Sequence, residues 1–149
     1  MIHLNESNNR FEIGGISATS LVQKYGEPLY VYDTAIMEKQ YKRLKSAFKK
    51  VPIHINYACK ALNNINVLKL FKELGAGLDT VSIEEVKLGL RAGFEAHQIL
   101  FTPNCVSMKE MIEACELGVK INIDNISILE QFGHLYANKI PVCIRINPH

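Results

Sequence analysis

No apolar run in this 149-residue chain approaches the roughly 18 residues that a membrane-spanning helix needs. The opening MIHLNESNNRFEIGGIS also lacks the basic stretch followed by an apolar core that marks a secretory signal. No membrane partner is therefore expected, and the cytoplasm is the expected compartment. An excess of charge of one sign is missing as well. The 17 basic and 15 acidic residues leave a net +2, and the basic residues are spread along the chain, so no nucleic-acid surface is expected. Cys59, Cys105, Cys115 and Cys143 form no C-x-x-C and have no histidine at ligand spacing. That argues against a zinc site or a redox pair and leaves them as small apolar side chains in a reducing compartment.

What is present is enough for a folded core: 48% of the residues are hydrophobic and 21% charged, ordinary values for a globular domain. After a polar lead-in, β-rich runs alternate with amphipathic helical patterns. The strand candidates are LYVYD (29–33), IHINYA (53–58), GLDTV (77–81), QILFT (98–102), KINID (120–124) and PVCIRIN (141–147). Between them, Met37, Tyr41, Leu44 and Phe48 form one apolar helical stripe, and Ile126, Leu129, Phe132 and Tyr136 another, each needing a sheet to cover. Ser82-x-x-Glu85, Ser107-x-x-Glu110 and Ser127-x-x-Glu130 match the capping-box pattern, in which a serine and a glutamate satisfy the free N–H groups of a first helical turn.

Repeated βα units imply parallel strands joined by right-handed crossovers, as a doubly wound sheet or a closed barrel. The only G-x-G, Gly75-Ala76-Gly77, follows a helix, enters a strand and lacks a third glycine, so it reads as a helix stop and tight turn, not a phosphate cradle. The expected fold is α/β, the front part of a (β/α)8 barrel. A full barrel takes roughly 250 residues, and about six βα units fit here.

Alternation along 53–60 puts Ile53, Ile55, Tyr57 and Cys59 on one face and His54, Asn56, Ala58 and Lys60 on the other. The first set suits contact with helices. The second suits a barrel interior whose C-terminal mouth is the usual active site. The same parity turns Val142, Ile144 and Ile146 outward and Cys143, Arg145 and Asn147 inward, and it sets Asp79 opposite to Leu78 and Thr80. Lys60, Asp79 and Arg145 are thus expected near one mouth. A cation and desolvation lower a lysine's pKa, which suits Lys60 as an amine that forms a Schiff base with a carbonyl; the alternative is a structural salt bridge with Asp79. His54 reads as a hydrogen-bonded core histidine more readily than as a base. A cap is sufficient explanation for Glu85, and TPNCVSMKE after the fourth strand is either an active-site loop or ordinary turn chemistry.

GEPLYVYD, NYACKALNN, GAGLDTVSIEEVKLGLRAGF, ILFTPNCVSMKEMIEACELGV, INIDN and VCIRINPH, in this order, resemble the N-terminal part of the diaminopimelate decarboxylases. These belong to the alanine-racemase-like, barrel-type enzymes that use pyridoxal 5'-phosphate. The resemblance spans about residues 13–149. It implies that Lys60, in the Y-A-x-K-A block with Ala58, holds the cofactor, that Asp79 and Glu85 lie close to it, and that Arg145 is the inward arginine of RINP. SIEE departs from the glycines that many members carry after the serine, which bears on the role of Glu85.

The resemblance further implies decarboxylation of the amino acid meso-diaminopimelate to L-lysine and carbon dioxide by an intact homodimer. Residues 1–28 would be a lead-in to a second β domain and 29–149 the first part of the barrel. The phosphate site and the second domain would lie beyond His149, so this chain by itself is expected to be inactive. Rival readings are an arginine, ornithine or carboxynorspermidine decarboxylase, a non-catalytic pyridoxal-phosphate carrier, and a truncated chain that associates with a separate remainder.

Overall fold

A computed structural model describes residues 3–5, 9–146 and 148. The chain divides into two compact units, residues 1–52 and 53–149.

In the first unit, β1 (His3–Asn5), β2 (Arg10–Ile13) and β3 (Ile16–Ser17) form an antiparallel sheet, followed by α1 (Ala18–Tyr25) and α2 (Thr34–Ala47). The β2–β3 hairpin turns on Gly14 and Gly15, with φ of 57° and 78°. A two-residue turn that follows the strand twist needs positive φ at both positions, which glycine adopts without steric cost. Asp33 caps α2, its Oδ1 accepting from the N–H of Ala35 (3.0 Å) and Ile36 (3.2 Å). LYVYD is not a strand: residues 29–33 have no ladder partner, and Tyr30 is 86% exposed. β-rich composition favours an extended chain, but only a hydrogen-bonded neighbour makes it a strand. The Met37–Phe48 stripe is covered only in part, with Tyr41 buried and Leu44 and Phe48 exposed.

The second unit holds five parallel strands in sequential order, β4 (Asn56–Ala58), β5 (Gly77–Thr80), β6 (Ile99–Phe101), β7 (Lys120–Ile123) and β8 (Val142–Ile144). Helices α3 (Ile65–Glu73), α4 (Ile83–Arg91), α5 (Met108–Glu116) and α6 (Ile126–Tyr136) connect them. This is the βα repeat of an incomplete barrel, with five strands where the sequence suggested six. Leu78, Ile99, Phe101, Ile121 and Ile123 are almost wholly buried on the helix-facing side. Each such side chain contributes about 1.5–3 kcal/mol on burial, so this layer holds the sheet to its helices. α4 lies over β5 and β6, and α5 and α6 over β7.

Helix ends follow the side chains available. Ser107 and Glu110 make a complete capping box. Ser127 does not start α6: Asn125 does, its Oδ1 accepting from the N–H of Ser127 (2.9 Å) and Ile128 (3.3 Å). Asparagine two residues upstream competes for the same free N–H groups and reaches them first. Gly75, at φ 84°, ends α3 with the Ala76 N–H bonded to the Phe71 carbonyl, the helix stop expected of GAG. Among the described residues no helix is long and apolar enough to cross a membrane, and no cluster of His, Cys, Asp and Glu suits a metal ion.

Candidate functional site

The ladders fix which side chains share the inner face. Ala58 stands opposite Asp79, Asp79 opposite Leu100, Leu100 opposite Lys120, and Asn122 opposite Cys143. In a parallel sheet such partners point the same way, so these residues form a mixed polar row on the side away from the helices. The expected split of 53–60 holds through Ala58; Cys59–Ala61 then coil into a single 3₁₀ turn. Cys59 is driven fully into the core while Lys60 is exposed. Among the described residues Lys60 forms no ion pair, so the salt bridge to Asp79 is not made.

Negative charge lies under this turn. Burial pushes the Cys59 thiol up to about 11, and the carboxylates of Glu85 and Asp79 add to the effect. Both acids therefore bear on the strand end from which Lys60 emerges. Glu85 is held in place: its Oε2 accepts the Val81 N–H at 2.8 Å, while its own N–H donates to Ser82 Oγ at 3.2 Å. The capping-box expectation is thus half met, since the carboxylate reaches one residue past Ser82. The bond pins the β5–α4 turn directly beyond Asp79.

The candidates are spread across the sheet. Arg145 follows β8, at the opposite edge from β4, with its N–H on the Ile123 carbonyl (2.8 Å). Four strand spacings of about 4.8 Å put it roughly 19 Å from the Lys60 strand along the sheet. Asn147 lies outside the described residues. His54 is exposed at the N-terminal end of the sheet, where it and Asn56 close over Gly77 so tightly that a Cβ there would overlap both. It is away from the mouth and is not a buried core histidine.

Two inner-face residues were not singled out from the sequence. Thr102 Oγ1 and Asn122 Oδ1 are buried at the C-terminal end of the sheet and have no hydrogen-bond partner among the described residues. Unpaired buried oxygens are uncommon and costly, so each marks a place where a polar group is wanted. Their parity in QILFT and KINID, the same as that of Leu100 and Lys120, was the available signal. Asn122 also lines a cavity of about 40 Å³ with Pro103, Cys105 and Val106 from the loop after β6 and Met111 and Ile128 from α5 and α6.

Residues 34–149 match the family model described as pyridoxal-dependent decarboxylase, pyridoxal binding domain. Diaminopimelate decarboxylase of Methanothermobacter thermautotrophicus is 38% identical over 138 residues, covering 91% of this chain and 32% of the relative. The Bacillus subtilis enzyme of that name is 37% identical over 147 residues, covering 95% and 34%. The solved diaminopimelate decarboxylase of M. jannaschii in complex with L-lysine superposes with a TM-score of 0.87 at 29% identity, over 100% of this chain and 36% of that one. The chain spans about a third of the length of the curated relatives it matches.

Proposed function

The chain belongs to the pyridoxal-dependent decarboxylase family, and from that premise we propose that it forms the first part of the cofactor-binding barrel of an enzyme converting meso-diaminopimelate to L-lysine and carbon dioxide. On this reading residues 1–28 lead into a second β domain and residues 29–149 begin the barrel. The intact enzyme works as a cytoplasmic homodimer in lysine synthesis. The observation that carries the proposal is the position of Lys60: a primary amine at the C-terminal end of a barrel strand, exposed, beside an acid-bearing strand and, among the described residues, in no ion pair.

The inner face fits pyridoxal phosphate in its donor set. Lys60 supplies the amine that would hold the aldehyde. The unpartnered oxygens of Thr102 and Asn122 offer hydrogen-bonding positions on the same face. Bound there, pyridoxal phosphate supplies an electron sink for the pair released when a carboxylate leaves as carbon dioxide. Ala58, with its small side chain, leaves room next to Asp79. Asp79 and Arg145 set opposite charges on the inner face for the cofactor and the charged substrate. Glu85 keeps the turn after Asp79 closed through Val81.

The test is to incubate the chain with pyridoxal phosphate, reduce with borohydride and map the adduct by peptide mass spectrometry, with Lys60→Ala as control. Selective labelling of Lys60, lost in the variant, is the expected result. Diffuse labelling of many lysines, unchanged in the variant, would remove the assignment.

A further inference from the structure

Lys60 sits on a turn of one residue either side, and such a turn places an amine only if both its ends are fixed. The entry is fixed by Cys59, which is fully buried in the core. The turn closes on itself through the Leu62 N–H and the Cys59 carbonyl (3.1 Å). Its exit is reached from outside the turn. The Tyr57 hydroxyl donates to the Leu62 carbonyl at 3.1 Å, and the Tyr57 ring stacks on Phe71 of α3, centroids 4.0 Å apart and planes 14° from parallel.

Tyr57 lies on the helix-facing side of β4, opposite in parity to Ala58. It therefore reaches back past the strand end to hold the far side of the loop whose tip is Lys60. We infer that Tyr57 is a positioning residue for the Lys60 amine, acting through the Leu62 carbonyl, with Phe71 fixing the ring that carries the hydroxyl. The inference rests on the reading of Lys60 as the cofactor-holding lysine, and it assigns Tyr57 no contact with cofactor or substrate. Ring stacking and the hydroxyl bond are separable: a phenylalanine at 57 keeps the stacked ring and removes the hydroxyl that donates to the Leu62 carbonyl.

The experiment compares the wild-type chain, Tyr57→Phe and Phe71→Leu. Two quantities are read for each: the rate of borohydride-fixed pyridoxal phosphate labelling at Lys60 relative to the other lysines, and the thermal midpoint. Amide hydrogen exchange at Leu62 reports the turn directly. For Tyr57→Phe the expected outcome is an about fivefold loss of selective labelling at Lys60, the factor that one neutral hydrogen bond sets. Leu62 exchange should quicken, with little change in midpoint. Phe71→Leu should lower the midpoint while losing less selectivity. Equal labelling of Lys60 in wild type and Tyr57→Phe would overturn the role of Tyr57 and leave the cofactor reading intact. Selectivity falling in both variants in proportion to their midpoints would overturn it too, as a matter of general stability. Absence of selective Lys60 labelling in the wild type would overturn the cofactor reading and, with it, any amine to position.

Discussion

Ala58 and Asp79 are ladder partners across β4 and β5, so the turn that carries Lys60 leaves the sheet directly beside the acid-bearing strand end. The first consequence falls on the neighbour of Lys60. Cys59 is buried beneath that end, and its thiol is held up to about 11 by desolvation first and by Glu85 and Asp79 after it. Replacing Asp79 with Asn removes one of the two charges and should lower the Cys59 pKa. It should stay above the ordinary 9.0, because burial is the larger cause. A pH titration of the Cys59 Cβ resonance would check this; an unchanged titration would mean that Asp79 does not act at this strand end.

The same thiol makes stability fall in alkaline solution. Between about 9 and about 11 the folded chain keeps a proton that the unfolded chain has lost, so rising pH favours unfolding across that window. At about 1.4 kcal/mol per unit, the loss approaches roughly 2–3 kcal/mol as an upper bound. Urea unfolding at several pH values should show a steeper alkaline decline in the wild type than in Cys59→Ala. Equal slopes would refute the assignment, since the other alkaline-titrating groups are common to both proteins.

The second unit was legible because each strand carries two signals that agree. In GLDT and KINI one parity carries Leu78, Thr80, Ile121 and Ile123 and the other the small or polar Gly77, Asp79, Lys120 and Asn122, and helix starts with serine or asparagine follow at regular spacing. The same parity underlies the expectation that Lys60, Asp79 and Arg145 lie near one mouth. LYVYD failed because strand propensity says nothing about a pairing partner. The antiparallel hairpin around Gly14 and Gly15 lies in the stretch that reads as a polar lead-in, although two glycines between Ile13 and Ile16 are a hairpin signal. Thr102 and Asn122 were missed for another reason: an unsatisfied buried oxygen is a property of packing, which no pattern of residue types records.

The start of α6 separates two capping models. If Asn125 is the cap, Asn125→Ala removes the acceptor of two backbone N–H bonds and should cost about 1 kcal/mol. Ser127→Ala loses only a hydroxyl bond to the same Oδ1 (2.8 Å) and should cost less than half as much. Thermal or urea unfolding of the two variants decides, and a larger cost at Ser127 would restore the serine-centred box.

At Gly89, α4 lies close against the sheet. A Cβ there would overlap Leu78 Cδ2 and lie 3.2 Å from Ile99 Cδ1, and both partners are fully buried. Two effects oppose each other in Gly89→Ala. Alanine is favoured over glycine inside a helix by about 1 kcal/mol, whereas overpacking a tight core costs about 1–3 kcal/mol. Leu78 has little room to turn away, because Ile99 occupies the neighbouring strand and Val86 the same helix. Overpacking should therefore win, with a net loss of about 1 kcal/mol in urea unfolding. The discriminating measurement is the double variant. Leu78→Ala costs about 2–5 kcal/mol by the cavity it leaves, but in that background the added methyl of Gly89→Ala enters vacated space. It should then be neutral or stabilising, a coupling expected only of side chains in direct contact. If Gly89→Ala is equally damaging with Leu78 intact and truncated, the close approach of α4 to β5 is not what selects glycine.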